Sequence, residues 1–218
     1  MTRQEALQVA KPILFNTDMV RTILGGRKTV TRRLVKPQPP KDASGTYERM
    51  DNGNFQLKVA PYEHIYDYEI KPRYRVGDIL YVRETWCKGS LDYGKEQYYY
   101  RADNIIPYCT WHPSIHMPKE AARIFLRVTD VRAERLQNII TGDYRTTLNI
   151  KSEGLISPCC YCILNGNCED FITQGSCRLF NEFIKLWDST IKKSDRDNYG
   201  WEANSWVWVI EFERLEVT

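Results

Sequence analysis

Apolar and polar positions along this chain fall into short blocks, and the period of each block predicts its element. Residues 12–15 form a brief apolar run that reads as a strand. Behind it Met19, Val20, Ile23 and Leu24 recur at helical spacing, with Asn16 or Thr17 placed to cap the helix. Gly25 and Gly26 end that helix, and the β-branched and arginine-rich stretch 29–35 predicts a strand directly after it. Residues 37–53 hold three prolines and two glycines and have no apolar period, so they read as a loop, with 55–59 an edge strand after them. A Gly77-Asp78 turn opens a strand at 79–83, another is expected at 97–102, and 85–96 crosses between the two. Pro107, Pro113 and Pro118 hold the next stretch as a loop ahead of a long strand at 124–131. A helical section at 141–153 follows, then a helix whose apolar face is Leu179, Phe180, Phe183, Ile184 and Trp187, a polar loop at 188–200, and a closing strand at 206–212. Five to seven strands with two or three helices predict an α+β fold, in the form of a small closed or half-closed barrel rather than a doubly wound sheet.

Composition narrows the function classes. A chain of 218 residues, 42% of them hydrophobic, is long enough to bury a sizeable core as one domain or one domain with insertions. Its 31 Lys and Arg against 28 Asp and Glu leave a formal charge of +3, too little for a protein that coats duplex DNA, so any nucleic-acid site must be local. No apolar run approaches the roughly 18 residues of a membrane span, and residues 1–11 lack the apolar core of a signal peptide. The expectation is a cytoplasmic protein with no membrane partner. Seven cysteines, an odd number, argue against a secreted disulfide framework.

The densest chemistry lies in Gly26-Arg27-Lys28-Thr29-Val30-Thr31-Arg32-Arg33, where four cations follow a diglycine on a helix-to-strand turn. In a regular strand Lys28, Val30 and Arg32 share one face and Thr29, Thr31 and Arg33 the other. Lys28 and Thr31 can therefore meet only if Lys28 lies in the turn or at a bulge. The competing reading is a solvated edge strand whose cations merely deter edge-to-edge pairing. Two further segments add polar groups beside aromatics: Gly77 to Trp86, which ends on Arg83, Glu84 and Trp86, and Trp201 to Trp206. Arg83 and Glu84 also suit an internal ion pair. Trp86, Trp111 and Trp201 are the candidates for stacking on a single-stranded base, although a tryptophan beside a strand is more often core. His112 and His116 lie four apart in a proline-bounded loop, which is not the helical zinc-protease pattern, and they receive no catalytic role.

In their order these segments resemble the ASCH domain, a relative of the PUA barrel. The likeness rests on Gly26, Lys28 and Arg32 as a Gly-x-Lys turn followed by Arg, on the Gly77-Asp78 strand opening, and on the closing Trp208-Val209-Ile210-Glu211-Phe212. It covers roughly residues 12–33, 74–86 and 124–218 and implies one domain over 12–218, with 36–70 a loop insertion and 155–178 a cysteine-rich insertion outside the likeness. The resemblance implies an RNA- or modified-nucleoside-binding cleft. Around Arg27 to Thr31 the chain is similar to small amidohydrolases that deacetylate N4-acetylcytidine. Their catalytic lysine, threonine and glutamate fall here on Lys28, Thr31 and Glu153, with Arg27, Arg32, Arg33, Arg83, Trp86 and Trp201 as nucleic-acid-binding candidates. Arg33 departs from the compact members, which carry an acid there. A nucleophilic hydroxyl at Thr31, a base at Lys28 and an acid at Glu153 would meet the needs of amide hydrolysis.

Five cysteines crowd the stretch 159–177, whose other apolar residues, Tyr161, Ile163, Leu164, Phe171 and Ile172, make little core of their own. Cys159, Cys162, Cys168 and Cys177 make one tetrathiolate set, in which Cys160 can replace Cys159; zinc is the expected ion, with an iron–sulfur cluster as the alternative. Free thiols in a loop are the competing reading, because a paired Cys-x-x-Cys repeat is missing. Beside the hydrolase stand two non-enzymatic alternatives: an RNA-binding module without turnover, and a protein-interaction module acting through the cysteine-rich insertion.

Overall fold

The computed structural model of the chain describes residues 1–39, 45–58, 65–91, 94–140, 144–155 and 178–218; for 65–68 and 144–147 it describes the backbone only. The chain is α+β and divides into two compact units, one made of Met1–Thr29, Val76–Thr129 and Phe212–Thr218, the other of Val30–Arg75 and Asp130–Glu211. Among the described residues no helix is long and apolar enough to cross a membrane.

The first unit opens with helix α1, Arg3–Val9, which the sequence reading missed. Its start is fixed by a capping box: Thr2 Oγ1 accepts from the Glu5 N–H at 3.2 Å and Glu5 Oε2 accepts from the Thr2 N–H at 2.8 Å. Strand β1, Lys11–Leu14, leads into α2, Thr17–Leu24, whose cap is Asn16, its Oδ1 accepting from the Met19 N–H at 2.8 Å. Gly25 ends α2 and Gly26 follows at φ +68, a conformation that glycine adopts without a Cβ penalty. Further along come β6, Ile79–Arg83, parallel to β1, and the antiparallel hairpin β7–β8, Trp86–Gly89 and Gln97–Tyr100. Strand β7 occupies part of what reads in sequence as a crossing segment. Strand β9, Phe125–Arg135, pairs antiparallel with β6. Ala6, Ala10, Ile79, Tyr81, Met117, Ala121, Ala122 and Phe125 form the core of this unit.

A disulfide joins Cys87 on β7 to Cys109. The odd cysteine count argued against a secreted disulfide framework, and this single pairing is a property of the fold: the 108–112 segment runs back beside β7, bridging Trp86 to His112 and Ser90 to Tyr108. Gly89 permits that approach, since a Cβ there would lie 2.6 Å from the Tyr108 carbonyl oxygen and 2.7 Å from Cys109 Cβ.

In the second unit β2, Val30–Leu34, pairs antiparallel with the closing strand β10, Trp206–Leu215, placing Thr31 opposite Ile210, Arg32 opposite Val209 and Arg33 opposite Trp208. The residues read as a loop with one edge strand instead form a three-stranded antiparallel sheet: β3, Thr46–Arg49; β4, Phe55–Lys58; and β5, Ile65–Ile70. Strand β4 is its centre, not an edge. The sheet packs aromatic edges onto β10, Tyr47 against Trp206 at 4.6 Å and Phe55 against Trp208 at 5.2 Å between ring centres. Helix α3, Tyr144–Ser152, and helix α4, Arg178–Thr190, cover another part of the unit. There Ile150, Leu179, Phe183 and Trp187 pack with Val30, Val207 and Val209. A short α5, Arg196–Tyr199, lies within the stretch read as a polar loop.

In sequence numbering the hydrogen-bonded order of the largest sheet is β1-β6-β9-β10-β2. In the first unit β1 is an edge, in the second β2 is an edge, and among the described residues no pairing closes a barrel within either unit.

Candidate functional site

The turn that carries Lys28 is fixed by main-chain bonds. The N–H groups of Arg27 and Lys28 both donate to the Thr22 carbonyl, at 2.9 and 3.1 Å, folding the chain back over the end of α2. Because β2 begins only at Val30, Lys28 belongs to the turn, which is the condition the alternation argument set. Its side chain leaves water almost completely, at 2% exposure, and Nζ lies 5.8 Å from the centre of the Phe15 ring. Arg27, one residue earlier, is exposed.

On β2 Thr31 is 3% and Arg32 7% exposed. A charged edge strand that only deters pairing keeps its cations in water, and Arg32 does not behave that way. Its Nη1 donates to Glu153 Oε1 at 2.7 Å, across 121 positions of sequence, with the two side chains 4% and 6% exposed. Burial of two charges is tolerated because each neutralises the other. Alternation along β2 turns Thr31 and Arg33 to the opposite face from Arg32. Arg33 is half-buried; desolvation pulls its guanidinium below the ordinary arginine range, against the favourable fields of Tyr74 and Glu153 and alongside the repulsion of Arg73.

No protein-family model, curated protein or solved structure matches the chain.

In the first unit the segment after β6 carries a second polar group. Arg83 Nη2 donates to the Ile115 carbonyl, and its Nε is buried with no hydrogen-bond partner among the described residues. Glu84, 1% exposed, does not pair with Arg83. It accepts two bonds from Arg123, Nε at 2.9 Å and Nη2 at 3.0 Å, while Arg123 Nη1 donates to Asp103 at 2.7 Å. Adjacent residues leaving a strand point to opposite sides, so the pair suggested by sequence adjacency gives way to one with a distant arginine. Burial raises Glu84 above the usual carboxylate range even though Arg123 opposes the shift. Arg123 also lies over the Tyr100 ring, 3.9 Å from its centre, and the Tyr100 phenol, pushed up to about 12 chiefly by burial, donates to the Ala121 carbonyl.

The stacking candidates separate. Trp86 is half-buried, packed against Tyr98 and His112 at 5.7 and 5.1 Å, and its indole N–H is buried with no acceptor among the described residues. Trp111 is half-buried under the Arg101 guanidinium. Trp201 is 6% exposed and wedged beside Phe180 and Phe183, which makes it part of the core of the second unit and leaves no face for a base. Cys159, Cys160, Cys162, Cys168 and Cys177 lie outside the described residues, among which no group of three or more His, Cys, Asp or Glu could hold a metal. Sequence reasoning missed Asp103 and Arg123; neither sits in a motif, and only the fold brings them to Glu84.

Proposed function

We propose that the chain is an ASCH-type protein with a PUA-like barrel that binds RNA or a modified nucleoside around Lys28, Thr31 and Arg32 and hydrolyses the exocyclic amide of N4-acetylcytidine or a close relative. The observation that carries this reading is the burial of Lys28, Thr31 and Arg32 within a single eight-residue segment, with Glu153 as the buried counter-ion of Arg32. Withdrawing so much charge from water is costly, and it suits a site that must bind a polar ligand and keep solvent away from it.

In the proposed reaction Thr31 Oγ1 attacks the acetyl carbonyl as Lys28 Nζ takes its proton, and the tetrahedral adduct collapses to an acetyl ester on Thr31. The proton now on Lys28 passes to the departing exocyclic nitrogen, releasing cytidine. Water, deprotonated by the same amine, cleaves the ester, returns the hydroxyl and releases acetate. Lys28 must enter as a neutral amine to accept that proton. Glu153, engaged by a guanidinium, is better suited to fixing Arg32 than to donating a proton, so the acid role expected of it passes to Lys28.

Chromatographic release of cytidine from N4-acetylcytidine tests the proposal. Wild-type protein should turn over, Thr31→Ala should lose about a thousandfold or more in rate while still binding, and Lys28→Arg should fail because a guanidinium does not accept a proton. No product from the wild type would refute the reaction; full activity in Thr31→Ala would refute the nucleophile. A binding module without turnover is the second reading, favoured by Trp86, whose ring is half-buried and whose indole N–H has no acceptor among the described residues. For the segment 155–178 we propose a thiolate-bound zinc, with an iron–sulfur cluster as the alternative.

A further inference from the structure

Among the described residues two arginines hold buried carboxylates, and they use their donors differently. Arg123 grips Glu84 with Nε and Nη2 and turns Nη1 to Asp103, so each of its three nitrogens is engaged. Arg32 gives Glu153 only Nη1, at 2.7 Å. Its Nε–H is buried, with no hydrogen-bond partner among the described residues, on a side chain 4% exposed. The Nε side of a guanidinium presents two parallel N–H vectors, the fork that matches two oxygens of a phosphate or carboxylate. In Arg123 that side is closed by Glu84. In Arg32 the described residues supply no acceptor for the Nε–H.

We infer that the Nε side of Arg32 is an oxyanion subsite, and that the oxyanion it takes is the phosphate of a nucleotide. The subsite stands on the geometry of Arg32; its assignment to a nucleotide rests on the nucleotide-binding reading given above. The preferred ligand is then a nucleotide or RNA rather than a free nucleoside, and Arg32 reads the phosphate while Glu153 holds the guanidinium in place.

Calorimetric titration of the full chain with inorganic phosphate, cytidine and cytidine 5′-monophosphate tests this. Inorganic phosphate should bind the wild type and weaken as salt rises, and the monophosphate should bind at least tenfold more tightly than cytidine. Arg32→Lys keeps a charge for Glu153 but removes the fork, and should abolish that preference; Glu153→Gln should retain phosphate binding. Phosphate binding without a preference for the monophosphate would support the subsite with a free oxyanion as its ligand. Absence of phosphate binding to the wild type together with equal affinity for cytidine and the monophosphate overturns the inference, however the variants fold, as does an unchanged preference in folded Arg32→Lys. None of these titrations involves turnover, so a failure of amide hydrolysis and a failure of this subsite are read in separate experiments.

Discussion

At the scale of single residues, burial decides what each charged side chain can do. Glu84 is 1% exposed and tied to Arg123 through both carboxylate oxygens. Removing it strands a guanidinium that is only partly in water, so Glu84→Ala should cost about 3 kcal/mol in urea denaturation, the lower end of the range for a broken buried pair because Asp103 still holds Nη1. Tyr100 offers a readout of the same cluster. Its phenol is pushed up to about 12, largely by burial, so in native protein one tyrosine should ionise near there by phenolate absorbance, and the step should vanish in Tyr100→Phe. The folded-state value is raised, so this group's stabilisation is complete below about pH 10, where the unfolded phenol begins to ionise, and is lost as pH climbs through about 12. How much of the site the sequence carried is also a matter of burial. Spacing showed that Lys28 and Thr31 could meet only if Lys28 lay in the turn, and the start of β2 at Val30 satisfies that condition. Spacing could not show that Arg32 would be withdrawn from water, or that Arg123 rather than Arg83 would hold Glu84, because both depend on residues far away in the chain.

Elements were legible where local signals agreed and illegible where pairing alone made them. Helix α2 combines an Asn16 cap, a helical apolar period and a glycine stop, and it forms as those signals predict. Strands β3 and β5 have no such support. In β3 only Tyr47 is buried, and proline and glycine around it read as loop, yet pairing with β4 turns the segment into sheet. The same holds for β7, recruited by β8 on one side and the 108–112 segment on the other. Two glycines test these elements for different reasons. Gly26 sits at φ +68 with nothing within 4 Å of where a Cβ would stand, so Gly26→Ala should cost only the backbone penalty, about 1–2 kcal/mol. Gly89 has an ordinary φ, but its Cβ would stand 2.6 Å from the Tyr108 carbonyl oxygen, so Gly89→Ala must push the strap from β7 and should cost about 1–3 kcal/mol. Thermal melts compare the two. Addition of a thiol reductant should lower the melting temperature of wild-type protein more than that of Gly89→Ala if the substitution has already loosened the Cys87–Cys109 strap.

For the whole molecule, each compact unit is assembled from separated segments: three for the first, two for the second. Strands β9 and β10 each contribute to both units, so a reading that follows apolar blocks in order has no boundary to find. The insertion read at 36–70 supplies β3, β4 and β5 of the second unit, and its aromatics Tyr47 and Phe55 pack onto β10. The cysteine-rich stretch poses the opposite problem. It offers five thiols between α3 and α4 beside Tyr161, Ile163, Leu164, Phe171 and Ile172, a small apolar set for a core of its own, so a further source of free energy would help it to order. In the proposed zinc site thiolate coordination would supply it, because four cysteine sulfurs around zinc couple metal binding directly to folding. Elemental analysis of protein purified without added metal should therefore find one equivalent of zinc per chain, and a chelator under reducing conditions should release it while exposing 155–178 to protease. Substituting Cys162 or Cys168 with serine should lower the zinc content without disturbing the Tyr100 titration, which reports on the other unit. Iron with visible absorption would select a cluster instead. Less than about a tenth of an equivalent of either metal, with those five thiols freely titratable in folded protein, would rule out the centre and leave the segment as a loop.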